Sequence, residues 1–219
     1  MWAHGDRPVR DIAVVDVGSN SVRLVLYRVE GRAIWTVFNE KVLAGLGRDL
    51  SRSGRLSPEG LVLAMAALRR FKLVIDGVNN IEVHAVATAA VRDAKDGGAF
   101  IARVKAETGL DVRILTGEEE GRYSAIGVAA GQPGADGVVG DLGGSSLELI
   151  RLDHGKPGKG ITLPLGTVEV VLLVGVRIAA FLLVAPPFAH KAVPVDLLHR
   201  FCARQECGIQ HGVRREQFP

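Results

Sequence analysis

The feature that most constrains this chain is a stretch that occurs twice. Residues 14–28 read VVDVGSNSVRLVLYR, and residues 139–152 read VGDLGGSSLELIRL. A shift of 125 positions lays Asp16 on Asp141, Gly18 on Gly143, Ser21 on Ser146 and Leu24 on Leu149. Each copy is a hydrophobic strand, an acid, a turn of small hydrogen-bonding residues and a second strand. A plain hairpin needs only two turn residues, such as Asn-Gly. Repetition of the longer form predicts two related half-molecules, each presenting one turn to a shared cleft.

The rest of the chain suits an α/β protein. It has 219 residues, 47% of them hydrophobic and 23% charged, which is a globular composition. Two strands are expected around the first turn, at 11–17 and 21–30, and a third within 32–45. Residues 45–57 read as a Gly/Ser/Arg loop. Ser57-Pro58-Glu59 is a strong helix start, with a Ser cap, Pro at the first helical position and an acid in the first turn. The helix over 58–76 should stop near Gly77. A strand then a loop or helix start (81–93), a helix (97–109), a short strand (110–117) and a helix (118–131) follow. GQPGADG, residues 131–137, is the expected domain boundary. This order predicts a ribonuclease-H-like lobe over 1–132, the opening strands of a second over 133–170, and an atypical tail over 171–219.

The tail holds six of the 27 basic and three of the 24 acidic residues, which leaves 21 of each in the body. The net charge of +3 therefore arises in the tail, and the body is not expected to bind nucleic acid. Cys202 and Cys207, the two cysteines, also lie there, at a spacing that is a weak metal signal. An apolar run over 170–189 approaches bilayer length, but Arg177 near its middle and Pro186-Pro187 near its end argue against a span. The polar start MWAHGDRPVRD carries no signal-peptide core, so a cytoplasmic location is the default.

The chemistry-bearing residues cluster on the repeated turns. Gly-rich turns after a strand can form anion-binding concavities from successive N–H groups. Gly18, Ser19, Asn20 and Ser21, and then Gly143, Gly144, Ser145 and Ser146, add short donors and could grip successive phosphates of one chain. Asp16 and Asp141 stand at the strand ends. The bland alternative is two hairpins with Asx-type turns. In TGEEEGR, Thr116 and Glu119 fit a capping box, so helix physics explains at least one of the three acids. A helix N-terminus would keep such a carboxylate ionised and weaken it as a base. Arg92 closes a buried strand and suits a phosphoryl oxygen through its planar fork, or else pairs with Asp93 or Asp96. Glu148, two residues past the second turn, reads from the residues as a solvent-facing strand residue. His84, inside an apolar strand, is expected in the core.

DVGSNSVRL, ATAAVRDA, TGEEEGRYSAIG and DLGGSSLEL together resemble the exopolyphosphatase and guanosine pentaphosphate phosphohydrolase (Ppx/GppA) family, over about residues 10–170. The resemblance implies an actin-like ATPase-domain fold, its first lobe complete and its second truncated. It implies Mg2+ near Asp16, Asp141 and Glu148, Glu120 as catalytic carboxylate and Arg92 on phosphate. The implied activity is release of terminal phosphate from polyphosphate or guanosine pentaphosphate. Two departures stand out. Ser145 replaces a glycine and would be strained if that position needs positive φ. The tail matches nothing expected and reads as a shifted frame. The rival readings are a sugar or acetate-type kinase on the same fold, and a non-catalytic guanosine tetraphosphate-binding module or inactive fragment. A homodimer is compatible with all three.

Overall fold

The computed structural model describes residues 9–166 and 192–193. The predicted span over 170–189, both cysteines and nearly all of the atypical tail lie outside the described residues.

The first sheet has five strands in the order β3-β2-β1-β4-β5. They are β1 (Val9–Val17), β2 (Val22–Glu30), β3 (Ala33–Val42), β4 (Glu82–Ala87) and β5 (Val112–Ile114). The first three form an antiparallel meander, and β4 and β5 add in parallel. This is the ribonuclease-H-like order of an actin-like lobe. On β1, Ala13, Val15 and Val17 are fully buried on one face, as the period of two demands.

Helices α1 (Leu50–Ser53), α2 (Pro58–Asp76), α3 (Ala89–Asp93) and α4 (Gly97–Thr108) belong to this lobe. α2 spans the range read from the sequence, with the Ser57 side chain accepting from the Gly60 amide and Gly77 after its last turn. Its buried residues Ala64, Leu68, Phe71 and Ile75 recur at helical spacing and join one core with β1 and β2. α4 ends on Gly109 in the left-handed conformation, φ 74°. The loop expected over 45–57 contains α1 as a single turn.

His84 departs from expectation. It is exposed and bonds Glu82 at 2.8 Å. β5 covers β4 only from Ala85 onward, so the first half of β4, Glu82 to His84, stays open to solvent.

The second sheet has the order β8-β7-β6-β9, with β6 (Gly137–Leu142), β7 (Leu147–Asp153), β8 (Lys156–Leu163) and β9 (Ala192–Val193). Its core joins Val139, Ile150 and Leu152 to Ala125 and Val128 of α5 (Gly117–Gly131). The Gly/Pro connection thus follows a helix that already packs on the second sheet.

Candidate active site

The 125-residue repeat holds in three dimensions. Gly18 N–H bonds Ser21 O at 2.9 Å, and Gly143 N–H bonds Ser146 O at 2.8 Å. Asp16 sits opposite Arg23 on the neighbouring strand, and Asp141 opposite Glu148 in the same register. The two turn tips touch. Ser19 Oγ and Ser145 Oγ are 2.6 Å apart, and a Cβ built on Gly144 would stand 2.8 Å from that of Ser19.

The loop after β3 holds the first tip in place. The Gly45 amide donates to Asn20 O at 2.9 Å and the Gly47 amide to Ser19 O at 2.8 Å. The strain expected at Ser145 does not arise. Neither it nor Gly18, Gly143 or Gly144 has a positive φ. The glycine at 144 matters for close approach instead, since a side chain there would collide with Ser19.

The cleft lies at the carboxyl ends of the parallel strands, where α/β sheets open to ligands. Val17, Ala87 and Ile114 end β1, β4 and β5 side by side. Asp16 is one residue inside that edge. Arg92 follows β4 on α3, and its Nη1 reaches across to Leu115 O at 3.1 Å, just past β5. The same atom donates to Glu120 Oε2 at 3.2 Å, while Nε bonds Asp93 at 3.1 Å. Arg92 and Glu120 are 22% and 14% exposed, so this pair is well withdrawn from water.

The three acids of TGEEEGR separate by role. Thr116 and Glu119 close the capping box, and Glu119 also pairs with Arg113. Glu118 faces solvent. Glu120 turns to the cleft. α5 comes this close because Gly117 and Gly121 lie one turn apart against the second sheet. A Cβ on Gly121 would stand 2.7 Å from Ile150 Cδ1 and 3.2 Å from Glu148 Cβ, and one on Gly117 would stand 2.4 Å from Thr162 Oγ1.

Electrostatics sets the acids apart from ordinary surface carboxylates. Burial, with the Asp141 charge adding, pushes Asp16 up to about 6. Burial pushes Glu148 up to about 7. The nearby Ser146 hydroxyl offsets part of that rise, although the two groups do not meet in hydrogen-bond geometry. Glu148 is only 1% exposed, and neither of its oxygens has a hydrogen-bond partner among the described residues. It is therefore not a solvent-facing strand residue. Burial also raises Glu120, against the pull of Arg92. Desolvation, aided by the Asp141 and Asp16 charges, outweighs Arg92, so this carboxylate is a stronger base than a free glutamate.

Every residue expected at the site lies on these converging segments. The Asp141 charge acts on Asp16, Glu120 and Glu148, the Asp16 charge on Glu120, and the Glu120 charge on Glu148. Asn20 is exposed at the rim, while Gly18, Ser21 and Gly143 are half-buried. Ser124 was not foreseen. One turn beyond Glu120, its hydroxyl donates to Asp141 Oδ2. Its spacing of four from Glu120 was the signal available.

The sequence model of the Ppx/GppA phosphatase family matches residues 24–172. The chain belongs to this family. Among solved structures, the Aquifex aeolicus Ppx/GppA enzyme is 34% identical, with a TM-score of 0.68, over 76% of this chain and 56% of its own. A Cytophaga hutchinsonii exopolyphosphatase is 26% identical, with a TM-score of 0.67, over 77% of this chain and 55% of its own. This chain of the Ppx/GppA family thus spans about half the length of the solved relatives it matches. No helix among the described residues is long and apolar enough to cross a membrane.

Proposed function

We propose that this chain carries the hydrolytic site of a phosphatase that removes the terminal phosphate of inorganic polyphosphate or guanosine pentaphosphate. The observation that carries the reading is the contact of Ser19 and Ser145 on turns that also bring together Asp16, Asp141, Glu120, Glu148 and Arg92. Phosphoryl transfer asks mainly for positioning and for charge opposite the developing anion. The Gly18 and Gly143 amides already close their own turns. The phosphate would therefore meet the tips, Ser19–Asn20 and Gly144–Ser145, with their amides and hydroxyls.

Arg92 would donate to a phosphoryl oxygen. Glu120 would take the proton of the attacking water as the water oxygen bonds the terminal phosphorus. The bond from that phosphorus to the bridging oxygen breaks, and the shortened chain leaves with the bridging oxygen. The raised affinity of Glu120 for a proton supports its place as base.

The acid set has the donor chemistry of a Mg2+ site, although its carboxylate oxygens do not all lie within 4.8 Å of one another, which suits an ion held partly through its own water shell. Glu148 is buried without a partner, and Asp16 and Asp141 repel each other. Hard carboxylate oxygens in that state suit a divalent cation. Asp16, Asp141 and Glu148 would hold it, and it would supply charge neutralisation at the phosphate.

Replacing Glu120 by Gln tests the reading. Phosphate release from polyphosphate should fall by at least about 100-fold, the usual scale of a general base, with polyphosphate binding retained. Unchanged release removes Glu120 from the chemistry.

A further inference from the structure

The two repeat aspartates are not held alike. Among the described residues, no side-chain hydrogen bond reaches Asp16, whereas Asp141 Oδ2 accepts from Ser124 Oγ, 17 residues earlier. Ser124 is on α5, one turn after Glu120 and three residues after Gly121. Gly121 sets the helix against Ile150 and Glu148. One face of one helix therefore carries Glu120 toward the cleft and ties down Asp141 on β6.

A serine hydroxyl has a single proton. Donated to a carboxylate, it makes a short charge-assisted bond that fixes the carboxylate plane. Oδ1 of Asp141 then remains as the oxygen available to a cation. Such donors behind a ligand are known to matter: their loss typically weakens metal binding by about 10- to 100-fold.

We infer that Ser124 is a positioning residue that orients Asp141 for a divalent cation, making Asp141 the fixed ligand and Asp16 the adaptable one. This rests on the metal reading given above. Ser124 acts through Asp141, the acceptor of its hydroxyl.

The test measures binding of Mn2+ alone to the full chain by electron paramagnetic resonance, without substrate. Ser124→Ala is suitable because alanine is the best helix former, so α5 should persist. The expected result is Mn2+ affinity about 10-fold weaker in Ser124→Ala, in addition to whatever fall in the metal-free thermal midpoint the lost charge-assisted bond brings. Ser124→Thr keeps the hydroxyl and should restore affinity to within about 2-fold, well inside the loss expected when the donor is absent. Equal Mn2+ affinity in wild type and Ser124→Ala overturns the inference. So does a lowered thermal midpoint with unchanged affinity, which marks a purely structural bond. If the wild-type chain itself takes up no Mn2+, the metal reading fails first and this inference with it.

Discussion

Ser19 Oγ and Ser145 Oγ meet at 2.6 Å, joining the tips of two hairpins that are 126 residues apart in the chain. Hydroxyls are both donors and acceptors, so the pair can hold the tips together and can also turn to an anion placed between them.

Ser145→Ala should show both sides of that contact. Loss of one neutral hydrogen bond is worth about 1 kcal/mol, so urea unfolding should report a destabilisation near that size. The KM for polyphosphate should rise about 5-fold, the same energy expressed as binding, with kcat moved less. A variant with unaltered KM would show that this hydroxyl does not meet substrate.

Gly121 and Gly127 lie on the same helix and predict opposite signs. A methyl at 121 would press on Ile150 at 2.7 Å, whereas nothing lies within 4 Å of one at 127. Gly121→Ala should destabilise by about 1–3 kcal/mol through overpacking, and displace Glu120 and Glu148 with loss of phosphate release. Gly127→Ala should stabilise by up to about 1 kcal/mol by helix propensity. Thermal and urea unfolding of the two proteins settle the pair.

Arg92 holds Glu120 below the value that burial alone would set. Removing the cation in Arg92→Ala therefore raises the Glu120 pKa further. The acidic limb of the rate profile should move to higher pH, in addition to any fall in rate from lost phosphate contact. A limb that stays in place, measured on whatever turnover remains, would separate Arg92 from the base.

Stability of the metal-free chain should fall between pH 5 and 8. Asp16, at about 6, and Glu148, at about 7, hold protons more tightly folded than unfolded. Their contribution is complete below about pH 4, where both states are protonated. It is lost as pH rises through the folded values, on the order of 2 kcal/mol for Glu148. Asp11 and Glu107, held low by arginines, Glu119, held low by the Thr116 amide and then Arg113, and Asp153, held low by His154, change at more acid pH. His154, raised by Asp153, adds a loss of the same sign. Glu148→Gln should flatten the slope, and Mg2+ should raise the unfolding midpoint more at pH 8 than at pH 5. A level profile in the parent chain would contradict the burial of these acids.

Local chemistry was legible in the sequence. α2 begins at Ser57 and stops at Gly77 because caps act over one turn of chain. The left-handed Gly109 and the Thr116–Glu119 box are likewise short-range. The repeated turns were legible too, since both copies obey the same strand period and the same closing hydrogen bond. Tertiary structure decided the remainder. Whether His84 is covered depends on where β5 starts, 28 residues later. Which of three glutamates faces the cleft depends on how closely Gly117 and Gly121 let α5 approach β7 and β8. The proton affinities of Asp16, Glu120 and Glu148 arise from desolvation and from charges brought together by folding. Neither quantity is a property of neighbours along the chain, so no reading of spacing alone contains it.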